Sequence, residues 1–165
     1  MLRRLLLALL VLALAFPLWA LNYTDLYPYL PELPGFKASE PTGMKVATPG
    51  GEMVSAERNY EAGPRRLTAR ILMGQMAAGL WFPFAMQISY DTPEEKLESL
   101  KIEGLPAKRI THKKSPGGTL LVLLSREKTA LPALFMLECQ GMVPAEVEPL
   151  LKHFRLSELA RKLNP

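Results

Sequence analysis

Arrangements of side chains that could perform catalysis are nearly absent from this chain of 165 residues. Histidine is the side chain that most readily exchanges protons near neutral pH, and only His112 and His153 are present. His112 lies in a basic segment, whereas His153 lies between Lys152 and Phe154 in a helical pattern. No serine-nucleophile, zinc-protease, paired-cysteine or phosphate-loop motif occurs in the sequence. We therefore predict no catalytic residues and no enzymatic activity.

Sulfur ligands for a soft metal are the next possibility, because thioether and thiolate groups bind Cu(I). Met136, Cys139 and Met142 are spaced by three residues. In a strand, however, Met136 and Cys139 project from opposite faces of the sheet. Cys139 is the only cysteine and lies in an apolar run, which predicts a buried, inert thiol and no internal disulfide. We predict neither a metal site nor a cofactor.

Apolar contact is the chemistry that the uncharged stretch Ile71–Tyr90 indicates. Burying one large apolar side chain stabilises a protein by about 1.5–3 kcal/mol, so several of them are costly to leave in water. Two interpretations stay open: the stretch is core, or it contacts an unknown protein, a lipid surface or an apolar small molecule. The candidate contact residues are the densest apolar side chains of the stretch: Met76, Leu80, Trp81, Phe82 and Phe84.

The same stretch is long enough for a membrane span, which takes about 20 residues. Gly74, Gly79 and Pro83 interrupt it, and Gln75 and Gln87 add polar groups, so its content argues against a span. We expect instead a short helix over residues 75–81 that Pro83 breaks.

A basic surface is predicted at Lys108, Arg109, Lys113 and Lys114. Two roles stay open for it: attraction to an anionic lipid surface, or a charged edge strand that blocks aggregation. The formal net charge of the chain is +4, of which Arg3 and Arg4 supply two near the N-terminus. This balance does not favour a nucleic-acid partner.

Residues 1–20 have the pattern of an export signal, with a basic start, an apolar run and a small residue, Ala20, before the expected cut. The alternative is an uncleaved N-terminal anchor. We expect an exported protein, periplasmic or secreted, and membrane-associated if the signal is retained. Residues 21–43 form a Pro-rich lead-in with Pro28, Pro31 and Pro34 at polyproline spacing, and residues 44–165 form a single domain.

The elements that position these residues are mainly strands. Alternating apolar residues predict a hairpin of 52–61 with Arg65–Met73, and the continuous run Leu120–Leu124 predicts a central strand paired with Leu134–Cys139. Asp91–Lys96 predicts a helix start or a turn, and residues 147–163 predict one broken helix or two short ones. The fold class is α+β: an antiparallel sheet of about five to six strands covered by C-terminal helices.

Five segments carry a resemblance to known proteins: Leu30–Phe36 (LPELPGF), Ala56–Gly63 (AERNYEAG), Asp91–Lys96 (DTPEEK), Ile102–Arg109 (IEGLPAKR) and Leu156–Leu163 (LSELARKL). The chain resembles small exported bacterial proteins without an assigned function, and its layout is similar to that of PsbP/Mog1-like α+β sandwiches. The resemblance implies a bacterial cell-envelope protein and no catalytic residue.

The sequence thus predicts an exported cell-envelope binding or accessory protein that uses the apolar stretch for contact. A membrane-associated protein, held by the uncleaved signal or by residues 71–90, is one alternative. An enzyme with an unrecognised site is the other.

Overall fold

The fold is an α+β arrangement around one nine-stranded sheet. The computed structural model describes residues 21–49, 51–85, 88–125 and 132–164, with the side chains of residues 82–85 outside the description. The strands are β1 (Lys37–Ala38), β2 (Thr42–Thr48), β3 (Gly51–Ala62), β4 (Arg65–Met73), β5 (Tyr90–Asp91), β6 (Glu95–Ile102), β7 (Leu105–His112), β8 (Gly117–Leu123) and β9 (Ala133–Gln140).

The strand order is β1-β3-β4-β9-β8-β7-β6-β5, with β2 also paired to β3. Every pairing between the described strands is antiparallel. The α+β class is confirmed, but the expected count of five to six strands is wrong. The three additional strands are β1, β2 and β5. β1 and β5 have two residues each, and the alternation in β2 is limited to the exposed Met44 and Val46, so none gives a strong strand pattern in sequence.

The central strands form where apolar periodicity predicts them. In β4, Leu67, Ala69 and Ile71 are fully or almost fully buried and alternate with partly exposed residues. Its observed bounds equal the predicted ones, because the turn at Gly63 starts it and Gly74, with φ +84, ends it. β8 and β9 also pair as expected and lie in the middle of the sheet.

The inner face of the sheet is the face that residues 21–36 and the C-terminal helices cover, and it carries the main core. Tyr60, Phe135 and Phe154 are completely buried there. Four helical segments pack over it: a 3₁₀ helix (Tyr23–Tyr29), α2 (Pro144–Val147), a second 3₁₀ helix (Glu148–Phe154) and α3 (Leu156–Leu163). Pro144 and Pro149 stand at helix starts, where the absent N–H costs no internal hydrogen bond.

The Pro-rich lead-in contributes to this core as well. Leu26, Leu30 and Leu33 are buried in it, and Tyr60 Oη donates a 2.8 Å hydrogen bond to the carbonyl of Pro31. Pro28 lies inside the first 3₁₀ helix rather than in a polyproline turn. Both conformations have three residues per turn, so the spacing of the prolines does not distinguish them.

The segment Asp91–Lys96 contains the connection between β5 and β6 at residues 92–94, so the turn is confirmed and the helix-start alternative is wrong. Thr92 Oγ1 accepts hydrogen bonds from the backbone N–H groups of Glu94 (3.3 Å) and Glu95 (3.1 Å). These bonds replace the helical ones that the same capping residues would have started. None of the helices in the described part of the chain is long and apolar enough to cross a membrane.

Candidate functional site

The helix α1 (Gln75–Ala85) carries all five predicted contact residues and lies on the outer face of the sheet, opposite the main core. Gly74 directs the chain there. Its N–H donates to the carbonyl of Pro132 (3.0 Å), and its own carbonyl accepts the first helical hydrogen bond from Ala78 (3.1 Å). With φ +84 and a position where a Cβ would overlap the Glu52 carbonyl, Gly74 cannot be replaced without strain.

Pro83 does not break this helix, so the expected end near residue 81 is wrong. Pro83 lies in the last turn of α1, which continues to Ala85. A proline there removes the single hydrogen bond that its N–H would donate to Gly79 and leaves the earlier turns intact. The helix therefore keeps enough length to lie across the outer face.

The underside of α1 packs on a second, smaller apolar cluster. Leu72, Leu121, Leu134 and Met136 are buried there together with Ala77 of the helix. Trp81 and Ile110 are half-buried against the same cluster. Part of the uncharged stretch is therefore core, and Trp81 stands at the border between this cluster and solvent.

Four exposed apolar side chains of the outer face, two on β2 and two on α1, are together called the apolar corner: Met44, Val46, Met76 and Leu80. The exposed fractions are 54% for Met44, 37% for Val46, 41% for Met76 and 38% for Leu80. Six large apolar side chains are exposed among the described residues, so these four are the majority. Exposed apolar side chains on one face of the sheet mark that face as a candidate contact surface.

Strand register shows why these side chains share a corner. Val46 pairs with Met53 across β2 and β3, and Met44 follows Val46 on the same face. A Cβ on Gly74 would stand 3.4 Å from the Met53 Cα, so α1 begins beside this strand pair. Met76 and Leu80 are then one helical turn apart on one side of α1.

The structure therefore separates the predicted contact residues. Met76 and Leu80 are exposed, and Trp81 is half-buried. Phe82 and Phe84 belong to α1, but their side chains lie outside the description. Sequence reasoning missed Met44 and Val46. Their spacing of two residues in Thr42–Thr48 was the available signal, and the exposed polar and small neighbours obscured it.

The predicted basic surface is divided by the fold. Lys108 belongs to the interior, being 4% exposed on the outer face beside Leu121, and its Nζ donates a 2.7 Å hydrogen bond to Ser99 Oγ. Burial lowers the pKa of Lys108. Arg109 projects to the opposite face, where it binds the carboxylates of Glu98 (3.1 Å) and Glu148 (2.9 Å).

The other two cations of this group are exposed and paired. Lys113 forms an ion pair with Asp91, and Lys114 lies 3.0 Å from Glu94. Their acidic partners are about twenty residues away in sequence, at the end of β5 and in its connection to β6. The strand β7 pairs with both β6 and β8, so the predicted role as a charged edge strand is wrong. The positive charges of Lys113 and Lys114 are locally balanced, which weakens their attraction for an anionic lipid surface.

Polar side chains occupy the outer face beyond α1. Arg70 is bound by Glu57 and by Glu138 (2.9 Å), and these side chains are about one-third to two-fifths exposed. A groove of about 250 Å³ lies beside Glu138. Thr68 lines this groove, and its Oγ1 donates a 2.8 Å hydrogen bond to Asn59 Oδ1 rather than to a basic side chain. The charge of Arg70 is therefore compensated by two carboxylates, and the Thr68 hydroxyl is hydrogen-bonded to an amide side chain.

The histidines and sulfur atoms are dispersed. His112 is exposed at the end of β7, and His153 is half-buried in the second 3₁₀ helix. Met136 belongs to the outer cluster and Cys139 to the inner core, as strand alternation predicts. In the described residues, no group of histidine, cysteine or carboxylate side chains could hold a metal ion.

We expect the thiol of Cys139 to be unreactive in the folded protein. The residue is 2% exposed, and burial raises the pKa of its thiol to about 11. The thiolate is the reactive form, so alkylation at pH 8 should be on the order of a hundredfold slower than in the unfolded chain. Thiol labelling with and without denaturant measures this ratio, and equal rates would contradict the buried placement.

Comparisons with protein-family models, with curated proteins and with solved structures give no match to this chain.

Proposed function

We propose that this protein is an exported cell-envelope protein that binds a partner through the apolar surface of α1 and catalyses no reaction. The observation that carries the proposal is the exposure of Met76 and Leu80 at the apolar corner. Covering one such side chain stabilises a complex by about 1–3 kcal/mol, and a folded monomer gains nothing from exposing four of them together. The export pattern of residues 1–20 supports an envelope location.

The charge distribution supports an apolar partner over an ionic one. Residues 71–90 have no charged side chain, and Arg109, Lys113 and Lys114 already have carboxylate partners. Binding at the corner should therefore change little between low and moderate salt, because screening acts on exposed charges. A lipid surface, an apolar segment of another protein and an apolar small molecule all satisfy this chemistry, and lipid is the simplest to test first.

The experiment introduces a charge at Leu80. Leu80→Glu places a carboxylate at an exposed position, so the free energy of unfolding should change by no more than about 0.5 kcal/mol. Affinity for an apolar partner should fall at least tenfold, because a charge would have to be desolvated on contact (about 1.4 kcal/mol per factor of ten). Trp81, on the same helix, reports contact by a blue shift of its fluorescence when phosphatidylethanolamine/phosphatidylglycerol vesicles are added.

Ile88→Glu is the matched control, because Ile88 is equally exposed (41%) but lies outside α1 and the corner. The same variants are then compared by the fraction of protein that co-sediments with cell envelopes. Leu80→Glu protein that folds and binds vesicles and envelopes like Ile88→Glu protein would refute the proposal. The intact mass of the exported protein shows whether cleavage occurs after Ala20, which separates surface binding from retention by an uncleaved anchor.

A further inference from the structure

The strand β2 is an edge of the sheet that the described residues leave open. It pairs only with β3, and five of its seven residues are exposed. The hairpin connection after Thr48 has two residues, so Thr48 and Gly51 form the hydrogen-bonded closing pair. Antiparallel alternation then directs the backbone groups of Gly43, Lys45 and Ala47 away from β3. A second strand is the group that satisfies such an edge.

The opposite edge of the sheet, unlike β2, is protected against pairing with a strand of another molecule. There, β5 has only two residues, Tyr90 hydrogen-bonds to Glu95, and Lys113 pairs with Asp91. Short strands and charged side chains prevent edge-to-edge pairing. β2 has seven residues and a single charge, Lys45, which Glu52 of the same chain already binds at 2.9 Å. When a second strand pairs with β2, the one charged side chain of β2 therefore keeps its ionic partner.

We propose that β2 pairs antiparallel with β2 of a second copy of this chain, about a two-fold axis at Val46. In this register Val46 faces its own symmetry mate, Lys45 faces Ala47 of the second copy, and Met44 faces Thr48. A β-branched pair at the axis is favourable, whereas an axis at Lys45 would set two ammonium groups directly opposite each other. The second copy thus supplies a strand whose only charge falls opposite a small apolar residue.

This pairing covers Met44 and Val46, the two side chains of the apolar corner that belong to the edge strand. A two-fold axis perpendicular to the sheet keeps both outer faces on one side. Both α1 helices then face the same partner surface, so a partner meets two copies of Met76 and Leu80. The dimer itself depends only on β2 and does not require the proposed function.

Cysteine cross-linking tests the pairing and its register. Val46→Cys should give a disulfide-linked dimer under mild oxidation, because Cα atoms of a pair without direct hydrogen bonds are about 4.5 Å apart. Met44→Cys should not, because its symmetry mate would stand about 13 Å away. The single native cysteine, Cys139, is buried and gives little background. The protein is expressed with residues 1–20, so that the cell processes its N-terminus.

Sedimentation equilibrium without oxidant gives the second measurement. The unaltered protein should form a dimer, and Val46→Lys should weaken self-association at least about tenfold by opposing two like charges at the axis. Ile88→Lys, an equally exposed substitution elsewhere, should leave it unchanged. Val46→Lys protein should keep the far-ultraviolet circular dichroism spectrum of the unaltered protein, which shows that its weaker association is not caused by unfolding; its melting temperature should be lower only by the stability that the dimer contributes.

Three outcomes would overturn the inference. If the unaltered protein is a monomer at all concentrations and Val46→Cys gives no cross-link, the protein does not form the proposed dimer. If Met44→Cys alone gives a cross-link, the two-fold axis is not at Val46. If Val46→Cys is cross-linked to a different protein, the strand that pairs with β2 does not come from a second copy of this chain. The cross-link should persist in Leu80→Glu protein, so a failed contact function and a failed dimer are distinguishable.

Discussion

Gly118→Ala should destabilise the protein by about 3 kcal/mol or more, the sum of backbone strain and overpacking. Gly118 has φ +154, and a Cβ at this position would overlap the Ile110 carbonyl oxygen and stand 2.6 Å from Pro144 Cγ. Neither neighbour can withdraw, because Ile110 is paired within β7 and Pro144 starts α2 over the core. Urea unfolding followed by far-ultraviolet circular dichroism measures the change.

Gly104→Ala is the matched control for that measurement. Gly104 also has a positive φ (+81), but no atom lies within 4 Å of the Cβ that alanine would add. Only backbone strain remains, which costs about 1 kcal/mol. If both variants lost the same stability, the close packing of α2 against β7 and β8 at Gly118 would not be the cause.

Phe154→Ala should cost about 3–5 kcal/mol, because it removes a fully buried ring and leaves a cavity. The ring of Phe154 lies 4.9 Å from that of Phe135 and 6.3 Å from that of Tyr60, in an edge-on contact. These contacts hold the second 3₁₀ helix on the inner face. The loss should appear as a lower urea midpoint with a similar slope.

Phe154→Leu is the corresponding control, since it keeps a large apolar side chain, leaves a much smaller cavity than alanine and should cost about 1 kcal/mol. Equal losses for leucine and alanine would mean that aromatic contact, rather than cavity formation, dominates at this position. A loss below about 1 kcal/mol for alanine would contradict the packing of the C-terminal helices on the sheet.

The contact function and the main core are physically separable in this fold. The core that Phe154 completes is on the inner face, whereas Met76 and Leu80 stand on the outer face above a different cluster. Surface charges at the corner should therefore affect binding without affecting stability, and core variants should do the reverse. This separation makes the Leu80→Glu test informative.

The local sequence pattern was sufficient to predict an element of secondary structure wherever a single apolar periodicity dominated the segment. The bounds of β4, the pairing of β8 with β9 and the division of the C-terminal helical region into short helices followed from apolar alternation, helical spacing and proline positions. In these segments each residue has the environment that its neighbours in sequence predict. The same reasoning missed β2, whose residues face solvent and acquire strand geometry by pairing with β3.

The candidate site depended more on tertiary structure. Composition identified Met76 and Leu80, but whether their side of α1 faced solvent was decided by how Gly74 sets the helix against β3 and β4. Lys108 was expected on the surface and is buried, because the outer face at that position is apolar and covered. The acidic partners of Lys113 and Lys114 come from a neighbouring turn, and charge pairing between strands has no signature in local sequence.

The sequence by itself determined the export pattern, the α+β class and the presence of an uncharged apolar stretch, because these depend on composition and on periods of a few residues. Only the tertiary structure decided which side of α1 is core, which strand joins Met44 and Val46 to it, and which charges are neutralised. Those properties depend on contacts between residues that are distant in sequence, and they define the surface on which the proposed binding depends.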